Sequence, residues 1–188
     1  MARPAAPETQ PAAPAAAGGE PSVPELVRRA QVGDNAAFEA LVARLHDAVL
    51  RQIVFWVGPD HARAEDISQE TWLRAHRGLR GYTGDSGFYT WVCAIARNES
   101  RRPRKAHPPV QKAEAHEPQA QAEQAEQVRS VLQELPDEFR EPLLLELWED
   151  MSLRQIAEVL GLPEGTVKSR LHRAREKFRA AWQARETS

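Results

Sequence analysis

Residues 152–178, SLRQIAEVLGLPEGTVKSRLHRAREKF, constrain the chain most, because their local signals agree on two helices around a tight turn. Ser152 followed by Gln155 is a capping-box start, in which two side chains satisfy backbone N–H groups that a helix leaves free. Ile156, Ala157 and Leu160 form the apolar side of a short first helix. Gly161 can take the left-handed conformation that ends a helix, and Gly161-Leu162-Pro163 supplies the turn. Pro163 is tolerated in a first helical turn, and Glu164 suits the positive end of the dipole there.

The second helix divides into two faces. At about 100° per residue, Val167, Leu171, Ala174 and Phe178 share one stripe, with Lys168, Ser169, His172, Arg173, Glu176 and Arg179 broadly opposite. An apolar back with a cationic, hydrogen-bonding front is what readout of a DNA major groove requires. A solvated amphipathic helix would explain the two faces, but not the cap, glycine and turn that precede them. The segment is therefore read as a DNA-binding helix-turn-helix.

A formal net charge of −2 over 188 residues argues against a generic polyanion binder. Charge is uneven: acidic residues dominate 114–150, and Arg and Lys dominate 97–105 and 168–179. This favours a protein that touches DNA at chosen places and another macromolecule elsewhere. Cys93 is the single cysteine, which excludes an intramolecular disulfide or a thiol-rich metal site. It lies in an apolar run and is expected to be buried and inert. No stretch approaches the ~18–20 apolar residues of a membrane helix, and the N-terminus lacks a secretory pattern. A soluble cytoplasmic protein is expected.

Residues 1–22, almost all Ala, Pro, Gly, Glu and Gln, are expected to form a disordered tail. A first unit, 23–102, opens with a short helix ended by Gly33. Asp34 then caps a longer helix through Phe38, Leu41, Leu45, Val49, Ile53 and Trp56. Gly58-Pro59-Asp60 starts a third helix bearing Ala64, Ile67, Thr71, Trp72 and Ala75. Gly78 to Gly87 reads as a loop, and a last helix from Phe88 turns basic before Pro103 stops it. Residues 103–127 read as a flexible linker, residues 128–182 as a second helical unit, and 183–188 as a C-terminal tail. No strand alternation appears. The expected fold class is all-α, two small helical domains on a flexible tether.

These strings, in this order, resemble bacterial RNA polymerase sigma factors of the sigma-70 family, extracytoplasmic-function group. The first domain carries LVRRAQVGDNAAFEALV (26–42), AEDISQETWLRAHRGL (64–79) and FYTWVCAIARN (88–98). The second carries LQELPDEFREPLLLELWEDMSLRQIAEVLGLPEGTVKSRLHRAREKF (132–178). The resemblance covers essentially 25–102 and 128–182, as regions 2 and 4 of the family, and the combination of both domains is far more specific than a lone helix-turn-helix.

The resemblance implies an initiation subunit that binds core polymerase and promoter DNA and performs no bond chemistry, with no cofactor. Asp66, Gln69, Glu70 and Arg74 would meet the polymerase clamp helices; from the residues alone they read as ordinary helix solvation. The loop would serve minus-10 recognition through Tyr82, Thr83, Asp85, Ser86 and Phe88. There the glycines allow close approach, polar groups can bond base edges, and Tyr82 or Phe88 can stack on a base or anchor the domain. Arg97, Asn98, Arg101 and Arg102 would face the DNA backbone. Trp91 reads as core. Lys168, Ser169, Arg170, His172 and Arg173 would read the minus-35 element. An anti-sigma factor is a further partner that the family implies.

Two departures bear on minus-10 recognition: Tyr89 stands where family members often have Arg, and Pro103 cuts the basic helix short. His61 with Glu65, one turn apart, lacks a third ligand and makes no metal site. Two other readings of the residues are a stand-alone DNA-binding regulator and a helical adaptor that binds protein only.

Overall fold

The computed structural model describes residues 20–58, 60–102, 127–128, 130–147 and 150–186. Nearly all of the expected tail and of the expected linker therefore lies outside the described residues. Among the described residues every regular element is helical, as expected.

The first domain is built from four helices whose ends are set by the residues that mark them in the sequence. Helix α1 (Val23–Gln31) ends before Gly33, which has φ +99°. Asp34 caps α2 (Asn35–Val57), its carboxylate accepting from the Ala37 N–H at 3.1 Å. Gly58, at φ +81°, stops α2, and Asp60 caps α3 (His61–Gly78) by accepting from the Arg63 N–H at 3.0 Å. The expected loop starts later than Gly78, because the chain makes a 3-10 turn over Leu79–Gly81 that seats Leu79 in the core. Gln31 fixes this turn, donating from Nε2 to the carbonyls of Leu79 at 3.1 Å and Tyr82 at 2.7 Å. Helix α4 (Phe88–Ser100) follows. Leu26, Leu41, Ile53, Ile67, Trp72 and Val92 fill the space between the four helices. Residues 20–22, expected in the tail, are held in place: Arg44 donates to the Pro21 carbonyl and pairs with Glu20.

The second domain comprises α5 (residues 130–134), α6 (Asp137–Leu147), α7 (Leu153–Leu160) and α8 (Glu164–Glu186). Helix α8 reaches Glu186, so residues 183–186 of the expected C-terminal tail are helical. The α5–α6–α8 side packs Val131, Leu132, Leu135, Phe139, Leu143 and Leu144 around Ala174. The helix-turn-helix side packs Leu145, Met151, Ile156, Leu160, Val167 and Leu171 together. The two domains do not stand apart as the image of a tether suggests: α4 lies against α7, and Cys93 of α4 is buried in the apolar cluster of the second domain. Among the described residues no helix is long and apolar enough to cross a membrane.

Candidate nucleic-acid interface

The helix-turn-helix forms as its residues dictate. Ser152 Oγ accepts from the Gln155 N–H, while the Gln155 side chain accepts from the Ser152 N–H at 2.8 Å, which completes the capping box. Gly161 is left-handed, with φ +62° and ψ +38°. The Gly161 and Leu162 N–H groups reach back to the carbonyls of Glu158 and Ala157 at 3.1 and 2.9 Å, the pattern of a Schellman end. Val167, Leu171 and Ala174 are buried, so α8 is rotationally fixed, and Lys168, Ser169, His172 and Arg173 all point to solvent. Arg170 departs from this group. It is half-buried at the flank of the helix, 3.7 Å from Glu138.

The loop after α3 is held by its aromatics. The Tyr82 ring lies 5.7 Å from Phe88 and 5.0 Å from Trp91, centroid to centroid, and its hydroxyl donates to the Ser86 carbonyl. Burial, and then the nearby charges of Glu158 and Asp85, push the Tyr82 hydroxyl above the ordinary tyrosine value, which keeps it a donor. Phe88 is buried, and Trp91 packs on the core as expected. Gly78 lies beneath it, and a Cβ there would stand 3.3 Å from Trp91 Cζ2, close enough that the indole would have to shift by a few tenths of an ångström. Of the two roles open to Phe88, the structure shows the anchoring one. Thr83 and Asp85 are exposed at the tip and bonded to each other at 2.6 Å, and Gly84 between them has φ +83°.

Four basic-helix residues were expected on DNA, and they divide. Asn98, Arg101 and Arg102 are exposed. Arg97 is 6% exposed and lies under the second domain. On α3, Asp66 and Gln69 are exposed, with Glu70 and Arg74 beside them as an ion pair at 2.9 Å. Leu73 sits on the same helix with 51% of its surface exposed, an apolar side chain amid polar ones. Sequence reading missed it, although a leucine off the core stripe of a helix is a legible signal. It also missed Glu141 and Glu99, both buried carboxylates. Among the described residues no cluster of three or more metal-ligating side chains occurs.

A capped helix-turn-helix with an exposed cationic face, joined to a second helical domain with its own basic helix, defines a two-domain DNA-binding protein. Residues 41–107 match sigma-70 region 2, and residues 125–178 match sigma-70 region 4. The RNA polymerase sigma-H factor of Pseudomonas aeruginosa is 35% identical, the match covering 85% of this chain and 93% of that protein. The ECF RNA polymerase sigma-E factor of Escherichia coli is 31% identical, covering 80% and 89%. Among solved structures, CnrH in complex with the cytosolic domain of CnrY is similar with a TM-score of 0.65 and 31% identity, covering 85% of this chain and 96% of that one. The sigma factor RpoE bound to the anti-sigma factor NepR, from Bartonella quintana, shares the fold, with a TM-score of 0.59 at 21% identity over 78% and 96%. The chain belongs to the sigma-70 family of RNA polymerase sigma factors, in its extracytoplasmic-function group. Such proteins are transcription initiation factors and not enzymes.

Proposed function

We propose that the chain binds core RNA polymerase through α3, places α8 on the minus-35 element and places α4 with the preceding loop on the minus-10 element. The observation that carries this reading is the fixed orientation of α8: its apolar side is buried, and Lys168, Ser169, His172 and Arg173 are presented together to solvent. Arg and Lys can bond guanine edges or phosphates, and a bidentate arginine–guanine contact is worth roughly 1–3 kcal/mol. Thr83, Asp85, Asn98, Arg101 and Arg102 form the exposed part of the minus-10 surface. Tyr82 and Phe88 brace that surface from beneath, and Arg97 joins it when the second domain moves away. Contacts to single-stranded DNA exist only in the open promoter, so they shift the melting equilibrium toward it.

On α3 the docking surface is Asp66, Gln69 and Glu70 around Leu73, with Arg74 at its edge. An apolar side chain ringed by polar ones matches the general anatomy of a protein–protein interface, an apolar centre inside a polar rim. The site of action is the cytoplasm, where core polymerase works. An anti-sigma factor fits the reading as an antagonist, because the similar CnrH and RpoE structures are complexes with CnrY and the anti-sigma factor NepR.

Gel filtration with bacterial core polymerase tests the assignment. The chain should co-elute stoichiometrically, and Asp66→Arg/Glu70→Arg should abolish co-elution. Arg173→Ala should keep co-elution but lose on the order of tenfold or more in initiation at a cognate promoter. A chain that fails to co-elute yet binds duplex DNA tightly would be a stand-alone regulator.

A further inference from the structure

The loop proposed for minus-10 recognition carries its exposed tip at Thr83 and Asp85, yet the side chain that fixes its root comes from a distant helix. Gln31 ends α1, 48 residues before Leu79 and 51 before Tyr82. Its Nε2 has two hydrogens and uses both, one on the Leu79 carbonyl at 3.1 Å and one on the Tyr82 carbonyl at 2.7 Å. Chemistry settles the orientation of this amide, because its oxygen turned toward the same two carbonyls would meet acceptors only. The Leu79 carbonyl also accepts from the Tyr82 N–H at 3.1 Å, which closes the 3-10 turn. Gln31 therefore grips both ends of that turn and sets the direction in which the chain leaves it.

The support behind Gln31 is itself well tied. Leu26 and Val27 seat α1 in the core. At the corner into α2, the Val32 and Asp34 N–H groups both reach the Arg29 carbonyl at 3.2 Å, and the Gly33 N–H reaches that of Ala30 at 3.0 Å. Arg29 pairs with Asp34 at 2.8 Å across the same corner. The tip follows directly on the clamped turn. Tyr82 is held at its carbonyl by Gln31, at its ring by Phe88 and Trp91, and at its hydroxyl by the Ser86 carbonyl. Residues 83–85 thus run between two fixed points, with Thr83 and Asp85 bonded across Gly84. A segment so short has little freedom of its own, and its tip points where its root is set.

We propose that Gln31 is a positioning residue for base selection, whose two hydrogen bonds preset the 82–86 loop to meet an unpaired promoter base. A prearranged site loses no binding free energy to its own ordering. It also penalises a base that does not fit, because the loop cannot adjust to it. The clamp is independent of the functional reading, whereas its effect on base choice rests on the minus-10 assignment proposed above.

Two side chains close to glutamine in size separate the donor from the shape. Gln31→Met keeps the length and removes both donors. Gln31→Glu keeps the shape and turns a carboxylate toward two carbonyl oxygens. In the free full-length chain, the Tyr82 amide of Gln31→Met should exchange with solvent on the order of tenfold faster than in the native chain, with the amides of α7 unchanged. NMR reads both. Holoenzyme reconstituted with core polymerase is then assayed at a cognate promoter found by start mapping, and at copies with each other base placed in turn through the minus-10 element. The ratio of initiation with preferred to other bases should fall about threefold to tenfold in Gln31→Met, the fold-change that one or two ordinary hydrogen bonds represent. Gln31→Glu should lose more. Dependence on the minus-35 sequence should stay native in both.

Unchanged exchange at Tyr82 would overturn the clamp. Faster exchange with an unaltered base ratio would overturn the positioning role. So would an equal loss of initiation at every minus-10 sequence, which is what a residue needed only for stability would give. A native holoenzyme indifferent to the minus-10 bases is a distinct outcome. It removes the reading of the loop and the role of Gln31 in base choice together, while exchange at Tyr82 still decides the clamp.

Discussion

Arg74 shows how one side chain serves two surfaces. Its Nε lies 2.9 Å from Glu70 on its own helix and 2.9 Å from Glu99 on α4, as ion pairs and not as aligned hydrogen bonds. Glu99 is almost fully buried; among the described residues its other cation is Arg102 at 3.4 Å, and its Oε2 has no hydrogen-bond partner. Truncating Arg74 therefore removes more than a docking contact. Arg74→Ala should cost about 1–3 kcal/mol of stability, because a buried carboxylate loses a partner, and urea unfolding would measure it. An unchanged midpoint would show that Arg102 suffices for Glu99. Asp34 offers a prediction in pH. The Ala37 N–H, and then the Arg29 side chain, hold its carboxyl below the ordinary value of 3.8. A depressed carboxylate stabilises the folded state above that ordinary value, and the contribution disappears as pH falls through the lower folded value. An NMR titration of the Asp34 carboxyl should give a midpoint below 3.8; a midpoint at or above it would remove the cap from the account of α2.

At the scale of elements, the helix-turn-helix was legible almost residue by residue. Ser152, Gln155, Gly161 and the buried stripe of α8 all act within a few residues of themselves, so their chemistry can be read along the chain. Gly161 is the most exacting of them. Nothing crowds a Cβ placed there, but φ +62° is a conformation that L side chains resist. Gly161→Ala should therefore destabilise the protein by about 1–2 kcal/mol through backbone strain alone. A fall in the thermal midpoint without loss of DNA-contacting groups is the expected result, and an unchanged midpoint would contradict it. The limits of α8 and α3 were less legible. Helix α8 runs on to Glu186 and the 3-10 turn continues α3 to Gly81. The side chains that hold the 3-10 turn come from α1 and from the core, far away in sequence.

For the molecule as a whole, the interface between the domains and the interface with DNA should respond differently to salt. Exposed contacts between cations and phosphates weaken steeply as counterions compete, whereas a buried ion pair is screened much less. Promoter binding by the holoenzyme should fall with rising salt, while the radius of gyration of the free chain stays constant. Expansion of the free chain at high salt would mean that the solvent-exposed cation of Arg101, and not the buried Arg97, holds Glu141 and the domains together. Leu73 completes the picture at this scale: Leu73→Ala should weaken co-elution with core polymerase severalfold, through the apolar area lost from the contact, without lowering thermal stability, because half of its surface faces solvent.

The sequence by itself determined the helices, their caps, the all-α class, the family and the exposed face of α8, since each follows from neighbouring residues or from periodicity. Tertiary structure alone decided that Arg97 is buried. Its place on α4 marks it as a polar-side cation available to DNA, and its partner Glu141 lies 44 residues away in the other domain. Tertiary structure likewise turned Phe88 from a possible stacking platform into an anchor and set Leu73 apart from the core. No local pattern encodes which surface of one domain will lie against the other. That outcome depends on the fit of two finished surfaces and on the cost of desolvating a charge, and neither exists until both domains have folded.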